Sequence, residues 1–130
     1  MRYVDVNVLF YWLVDHEEFG EVATKIVRRI ESGERAITSV LTVWLLHILL
    51  EETTENYNPE ILIKKLEEIK FLRIVPLEFR HFKKALENMS KYSLDLEDAI
   101  HLTIALEYGC DAIYSNDSDF DNAPVKRIFE

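Results

Sequence analysis

The chain has 130 residues, of which 48% are hydrophobic, 12% aromatic and 30% charged. That describes one globular domain with a single core and excludes a disordered segment. The formal net charge of −9 argues against a broad basic grip on RNA or DNA. It suits a metal site whose ion supplies the positive charge, or a basic protein partner.

The only cysteine, Cys110, permits no intrachain disulfide, as in a reducing cytoplasm. The first residues run straight into fold-like sequence, so no signal peptide is expected. The longest apolar stretch, Val40 to Leu50, is interrupted by Thr42 and His47 and is too short to span a bilayer, so no membrane role is expected. Without a linker, repeat or low-complexity stretch, residues 1–130 are expected to form one domain.

In chain order, Arg2 to Val6 predicts a strand and Val8 to Val14 a short helix. Phe19, Val22, Ala23, Ile26, Val27 and Ile30 give helical spacing over Glu17 to Glu31, ended by Gly33. A second strand is expected over Arg35 to Thr38, then a long helix capped by Ser39 and running to about Thr53. Asn58-Pro59 starts another helix, with Leu62, Leu66 and Ile69 on one face. Phe71 to Val75 predicts the third strand. Phe82, Ala85, Leu86 and Met89 mark the next helix. Asp95 caps a further helix, apolar on nearly every face from Ala99 to Leu106 and hence buried, with Gly109 at its end. Ala112 to Ser115 and Val125 to Phe129 complete five strands. The alternation predicts an α/β fold, a parallel sheet with helices on both faces. Ligands of such sheets bind outside the carboxyl ends of the strands.

Three acidic motifs fall at that edge. In Val4-Asp5-Val6-Asn7 an aspartate closes an apolar strand, where it can meet a metal or simply cap a turn. In Asp95-Leu96-Glu97-Asp98-Ala99-Ile100-His101, Asp98 opens an apolar helix, where the dipole and free N–H groups favour a carboxylate. The alternative is a capping box, with Asp98 in the place of the usual glutamate. His101, one turn on, has the character of a satisfied core histidine. In Tyr114-Ser115-Asn116-Asp117-Ser118-Asp119-Phe120-Asp121, aspartates alternate after a strand. A calcium loop is excluded because Asn122 stands where glycine is needed and Ile128 where glutamate is needed. Carboxylates brought together repel unless a cation compensates, and Mg²⁺ or Mn²⁺ suits an oxygen-only set built on Asp5, Asp98 and Asp117.

Parts for other chemistries are missing: there is no glycine-rich phosphate loop, no H-E-x-x-H, no G-x-S-x-G and no zinc spacing. An aspartyl phosphotransferase needs a second acid at Asn7 or a partner lysine, to which Lys126 is only a loose match. Lys25, Arg28 and Arg29 share a helical face that is most simply a solvated surface.

Tyr3-Val4-Asp5-Val6-Asn7-Val8-Leu9, Ala36-Ile37-Thr38-Ser39-Val40-Leu41-Thr42, Leu96-Glu97-Asp98-Ala99-Ile100-His101-Leu102 and Ile113 to Phe120 together resemble the PIN domain, and within it the VapC-type toxins. The resemblance implies a three-layer α/β/α fold with five parallel strands in the order 3-2-1-4-5. It also implies Mg²⁺- or Mn²⁺-dependent endoribonuclease activity on RNA, a homodimer, and a VapB-type antitoxin that blocks the site. By position, Asp5, Asp98 and Asp117 match acids of the family; Asp119 and Asp121 would be auxiliary; Asn7 and Ser115 match polar positions that orient the site. The family's second acid, on the helix after strand two, falls at Leu45. Glu51 and Glu52 lie roughly 10 Å further along that helix, and His47 points about 200° around it from Leu45. A catalytically weakened or inactive PIN-fold binding module is therefore the alternative to an active ribonuclease.

Overall fold

Side chains alternate across a strand, and here both faces of the sheet are covered. The computed structural model describes residues 1–130. The strands are β1 (Arg2–Val4), β2 (Ala36–Ser39), β3 (Leu72–Val75), β4 (Ala112–Tyr114) and β5 (Lys126–Ile128). All pairings are parallel, and the order is 3-2-1-4-5. The helices are α1 (Val6–Leu13), α2 (Gly20–Glu31), α3 (Val40–Thr53), α4 (Pro59–Glu68), α5 (Phe79–Tyr92) and α6 (Leu96–Glu107), and a 3₁₀ turn spans Ser118–Asn122.

Two apolar clusters follow from the alternation. Val4, Ala36 and Tyr114 pack with Leu9, Ile26, Ile30, Leu46 and Leu62 beneath α1 to α4. Tyr3, Ile37, Val75 and Ile113 pack on the opposite face with Ala85, Ile100 and Ile104 of α5 and α6. The three-layer arrangement and the strand order are those expected. So are the ends of α2 and α6, where Gly33 and Gly109 adopt φ of 120° and 72° that other residues adopt only with strain.

The helix expected over Phe82 to Met89 forms as α5, and one local expectation, the cap at Ser39, needs correction. The stripe of α5 carrying Phe82 and Leu86 faces outward, 37% and 59% exposed; His81, Ala85 and Asn88 face the core instead. Polar pairing with α6 decides this: Asn88 donates to the Thr103 hydroxyl at 2.8 Å, and His81 Nε2 lies 2.9 Å from Glu107. Ser39 precedes α3 but makes no capping bond with its side chain. Its Oγ lies 2.9 Å from the Tyr3 hydroxyl on the neighbouring strand.

Candidate metal centre

Strand register brings the acidic motifs together. Val4 of β1 lies beside Tyr114 of β4, and the Asp5 amide donates to the Tyr114 carbonyl at 3.0 Å. The strand ends therefore set Asp5 next to Ser115. The Ser115 hydroxyl donates to Asp5 Oδ2 at 2.7 Å, and the Asn7 amide donates to the same oxygen at 3.0 Å and to Ser115 Oγ at 3.3 Å. The Val6 N–H donates to Asp5 Oδ1 at 2.8 Å. Asn7 Oδ1 accepts from the Asn116 N–H at 3.2 Å, and Ser115 Oγ from the Asp117 N–H at 2.9 Å. Asn7 and Ser115 thus tie the turn after β1 to the turn after β4.

Asp98 arrives from the first turn of α6. Its N–H donates to Asp95 Oδ1 at 2.8 Å, so Asp95 caps the helix. The reciprocal half of a capping box is missing: Asp98 is 3% exposed, and its Oδ2 has no hydrogen-bond partner. A buried oxygen acceptor left unpaired is costly and calls for a proton or a cation. Burial is the main force raising the Asp98 carboxyl, helped by Asp5, Asp95, Asp117 and Glu97, and together they push it to about 8.

One carboxylate oxygen each from Asp98, Asp117 and Asp119 lies within 4.8 Å of the other two. These acids make an oxygen-only donor set of the kind a divalent cation takes. Asp5 is outside this trio and borders it, with Val6 donating to its Oδ1 and Asn7 and Ser115 to its Oδ2. Asp119 joins it instead. Asp121 is turned aside and forms a two-point pair with Arg127, at 2.8 and 3.2 Å, which holds its carboxyl below the usual range.

Glu97 is a further acid of the site that the sequence does not distinguish from an ordinary first-turn glutamate. Desolvation, then Asp5, Asp95 and Asp117, raise its carboxyl. Leu45 offers no carboxylate, and its side chain packs against the cluster under α1 to α4. His47 and Glu51 do not stand in for it. His47 Nδ1 pairs with the Tyr57 hydroxyl at 3.0 Å, and its Nε2 lies 3.6 Å from Glu51. On α2, Lys25 pairs with Glu21 at 3.7 Å.

Behind Asp5 lies a buried polar chain. The His101 ring is fully buried, and burial lowers its basicity despite Asp5 and Asp95, so the ring is neutral near pH 7. Its Nδ1 is 2.6 Å from the Tyr3 hydroxyl. Its Nε2 is 3.6 Å from Asp5 Oδ1 and has no hydrogen-bond partner. His101 is a core residue as expected, but only half satisfied.

Among solved structures, the fold resembles the sarcin–ricin loop cleaving toxin VapC20 of Mycobacterium tuberculosis, with a TM-score of 0.84 and 13% identity over 100% of both chains. It also resembles FitAcB of Neisseria gonorrhoeae, with a TM-score of 0.74 and 18% identity over 98% of this chain and 96% of that one. A toxin–antitoxin complex of Klebsiella pneumoniae matches at a TM-score of 0.71 and 15% identity over 95% and 93% of the two chains. Compared by sequence with curated proteins, the chain matches none. The PIN domain family model matches residues 2–126, and with that match, the strand order and the acids at the sheet edge, the chain belongs to the PIN domain family.

Proposed function

We propose that this protein is a divalent-metal-dependent endoribonuclease of the toxin–antitoxin type, hydrolysing RNA phosphodiester bonds. One observation carries the reading: Asp98, buried and with one oxygen unpartnered, stands beside Asp117 and Asp119 at the carboxyl edge of the sheet. Asp98 and Asp117 would hold Mg²⁺ or Mn²⁺, with Asp119 beside them and Asp5 completing the set from the end of β1. The cation, when bound, supplies the positive charge that acidifies water for in-line attack and stabilises the leaving oxygen. Asp98 and Asp117 bind; Asn7 and Ser115 fix Asp5 and the Asp117 turn; Asp121 anchors the turn through Arg127.

The −9 charge bears on how RNA is held. So acidic a chain offers few phosphate contacts of its own, and a cation held by Asp98 and Asp117 would supply the attraction that it lacks. The same charge favours a basic antitoxin of the VapB type, and toxin–antitoxin complexes are among the similar structures. An exposed stripe on α5, with Phe79 77% and Leu86 59% exposed, supports a homodimer. No helix is long and apolar enough to cross a membrane, and Cys110 is unpaired; both fit a cytoplasmic protein.

Leu45 favours a second reading, a PIN-fold binding module with little turnover, because no other residue restores the missing carboxylate. RNA cleavage separates the two. Wild-type cleavage with Mn²⁺ that Asp5→Asn abolishes is the expected result. Cleavage gained only in Leu45→Glu would replace the ribonuclease by the binding module.

A further inference from the structure

A neutral imidazole can offer Asp5 either an N–H or a lone pair, and which one it offers depends on the atom at its other nitrogen. Here that atom is the Tyr3 hydroxyl, 2.6 Å from Nδ1. The Tyr3 O–H is placed to donate to Ser39 Oγ at 2.9 Å, and because both hydroxyls rotate the hydrogens can also run in the reverse sense. In one sense Tyr3 donates to Ser39, His101 must donate from Nδ1, and the Nε2 lone pair faces a carboxylate oxygen 3.6 Å away. That juxtaposes two negative dipole ends in a site with no exposure at His101 and 4% at Asp5. In the other sense Ser39 donates to Tyr3, Tyr3 donates to Nδ1, and Nε2–H faces Asp5 Oδ1. Only the second is attractive.

We infer that Tyr3 and His101 form a positioning pair for Asp5, in which the Tyr3 hydroxyl holds the ring as the Nε2–H tautomer and that N–H is aimed at Asp5 Oδ1. The distance of 3.6 Å is too long for a full hydrogen bond. The N–H therefore orients the carboxylate without occupying a lone pair, leaving the oxygen able to turn toward a cation. Asp5 is then fixed from both sides: by Val6, Asn7 and Ser115 along the sheet edge, and by the ring from within the core. Ser39 links this pair to the turn leading into α3, the helix on which Leu45 leaves a carboxylate missing. Partners that fix a ligating group from behind are worth about tenfold or more in metal affinity.

The metal consequence rests on the proposed cation site; the tautomer does not, so the two can fail separately. In metal-free protein labelled with ¹⁵N at histidine, long-range ¹H–¹⁵N spectra near pH 7 should show His101 protonated at Nε2. Tyr3→Phe should reduce or reverse that preference and weaken Mn²⁺ binding about tenfold by calorimetry. His101→Gln, whose amide N–H can reach the place of Nε2–H, should keep Mn²⁺ affinity within about threefold, while His101→Leu loses about tenfold or more. A wild-type ring protonated at Nδ1 would overturn the pair, as would Tyr3→Phe binding Mn²⁺ as tightly as wild type. A wild type that binds no Mn²⁺ would remove the cation site, and the tautomer in wild type and Tyr3→Phe would still decide whether the pair exists.

Discussion

Asp5 and Asp98 are the same residue type, at the same sheet edge, at 4% and 3% exposure, yet their surroundings are opposite. Asp5 is met by an N–H, an amide and a hydroxyl, and an imidazole stands behind it. Asp98 has an oxygen with no partner, and its nearest charged neighbours are other acids. A buried carboxylate is stable when donors replace its lost hydration; without them it takes a proton or a cation. The difference separates two tasks within one pocket. Asp5 is built into the fold and shapes the wall, whereas Asp98 is left with a need that only a ligand fills. The pocket is therefore organised around one unsatisfied carboxylate rather than around equivalent acids.

The contrast can be broken most severely at Asp98. Asp98→Asn should weaken Mn²⁺ binding at least about 100-fold in a calorimetric titration, and should stabilise the metal-free protein at pH 8 by a few degrees in Tm. The sign follows from the raised carboxyl. From about pH 4 to about pH 8 the folded chain keeps a proton on Asp98 that the unfolded chain releases, so metal-free stability falls as pH rises through that window and levels off above it. The asparagine variant should lack this component of the fall, and saturating Mn²⁺ should offset it in wild type. A slope across this window that survives both changes would mean that Asp98 is not the unsatisfied group.

At Asp5 the sign should reverse. Asp5→Asn replaces one acceptor oxygen by an NH₂ donor, so at least one of the three donors loses its partner and faces another donor, which should cost about 2 kcal/mol in chemical denaturation. Opposite stability effects of one substitution at two buried aspartates are what the contrast requires. If both variants are destabilised alike, Asp98 has partners in solution that the geometry does not give it.

Much of this was legible in sequence, for physical reasons. The period-two and period-3.6 patterns fix strands and helices because burial enforces them, and Asp5, Asp98 and Asp117 stand out as acids at junctions with apolar elements. The division of labour was not legible. Asp117, Asp119 and Asp121 look equivalent at alternate positions, but only the first two approach Asp98. Arg127 then draws Asp121 away. On α5 the spacing of Phe82, Ala85, Leu86 and Met89 finds a stripe but not which edge of it turns inward; Thr103 and Glu107, on another helix, decide that. His101 meets Tyr3 across 98 positions of chain, a pairing that no local pattern encodes.

The smallest expected effect tests how Asp5 is held. Ser115 Oγ donates to Asp5 at 2.7 Å and accepts from the Asp117 N–H at 2.9 Å, so one atom couples the wall of the pocket to the turn that carries two of its ligands. Ser115→Ala removes these two bonds and the longer one from Asn7, and should cost about 1 kcal/mol, less than Asp5→Asn because the Val6 and Asn7 donors still find Asp5. Its effect on Mn²⁺ should exceed what so modest a loss suggests, at about three- to tenfold, because the freed Asp117 N–H no longer fixes the turn against Asp5. Reduced affinity at nearly native stability would place Ser115 between the two carboxylates in function as well as in space. A loss of stability equal to that of Asp5→Asn, with Mn²⁺ affinity unchanged, would instead make it only a brace for the fold, and the contrast would then end at Asp5 without reaching the turn.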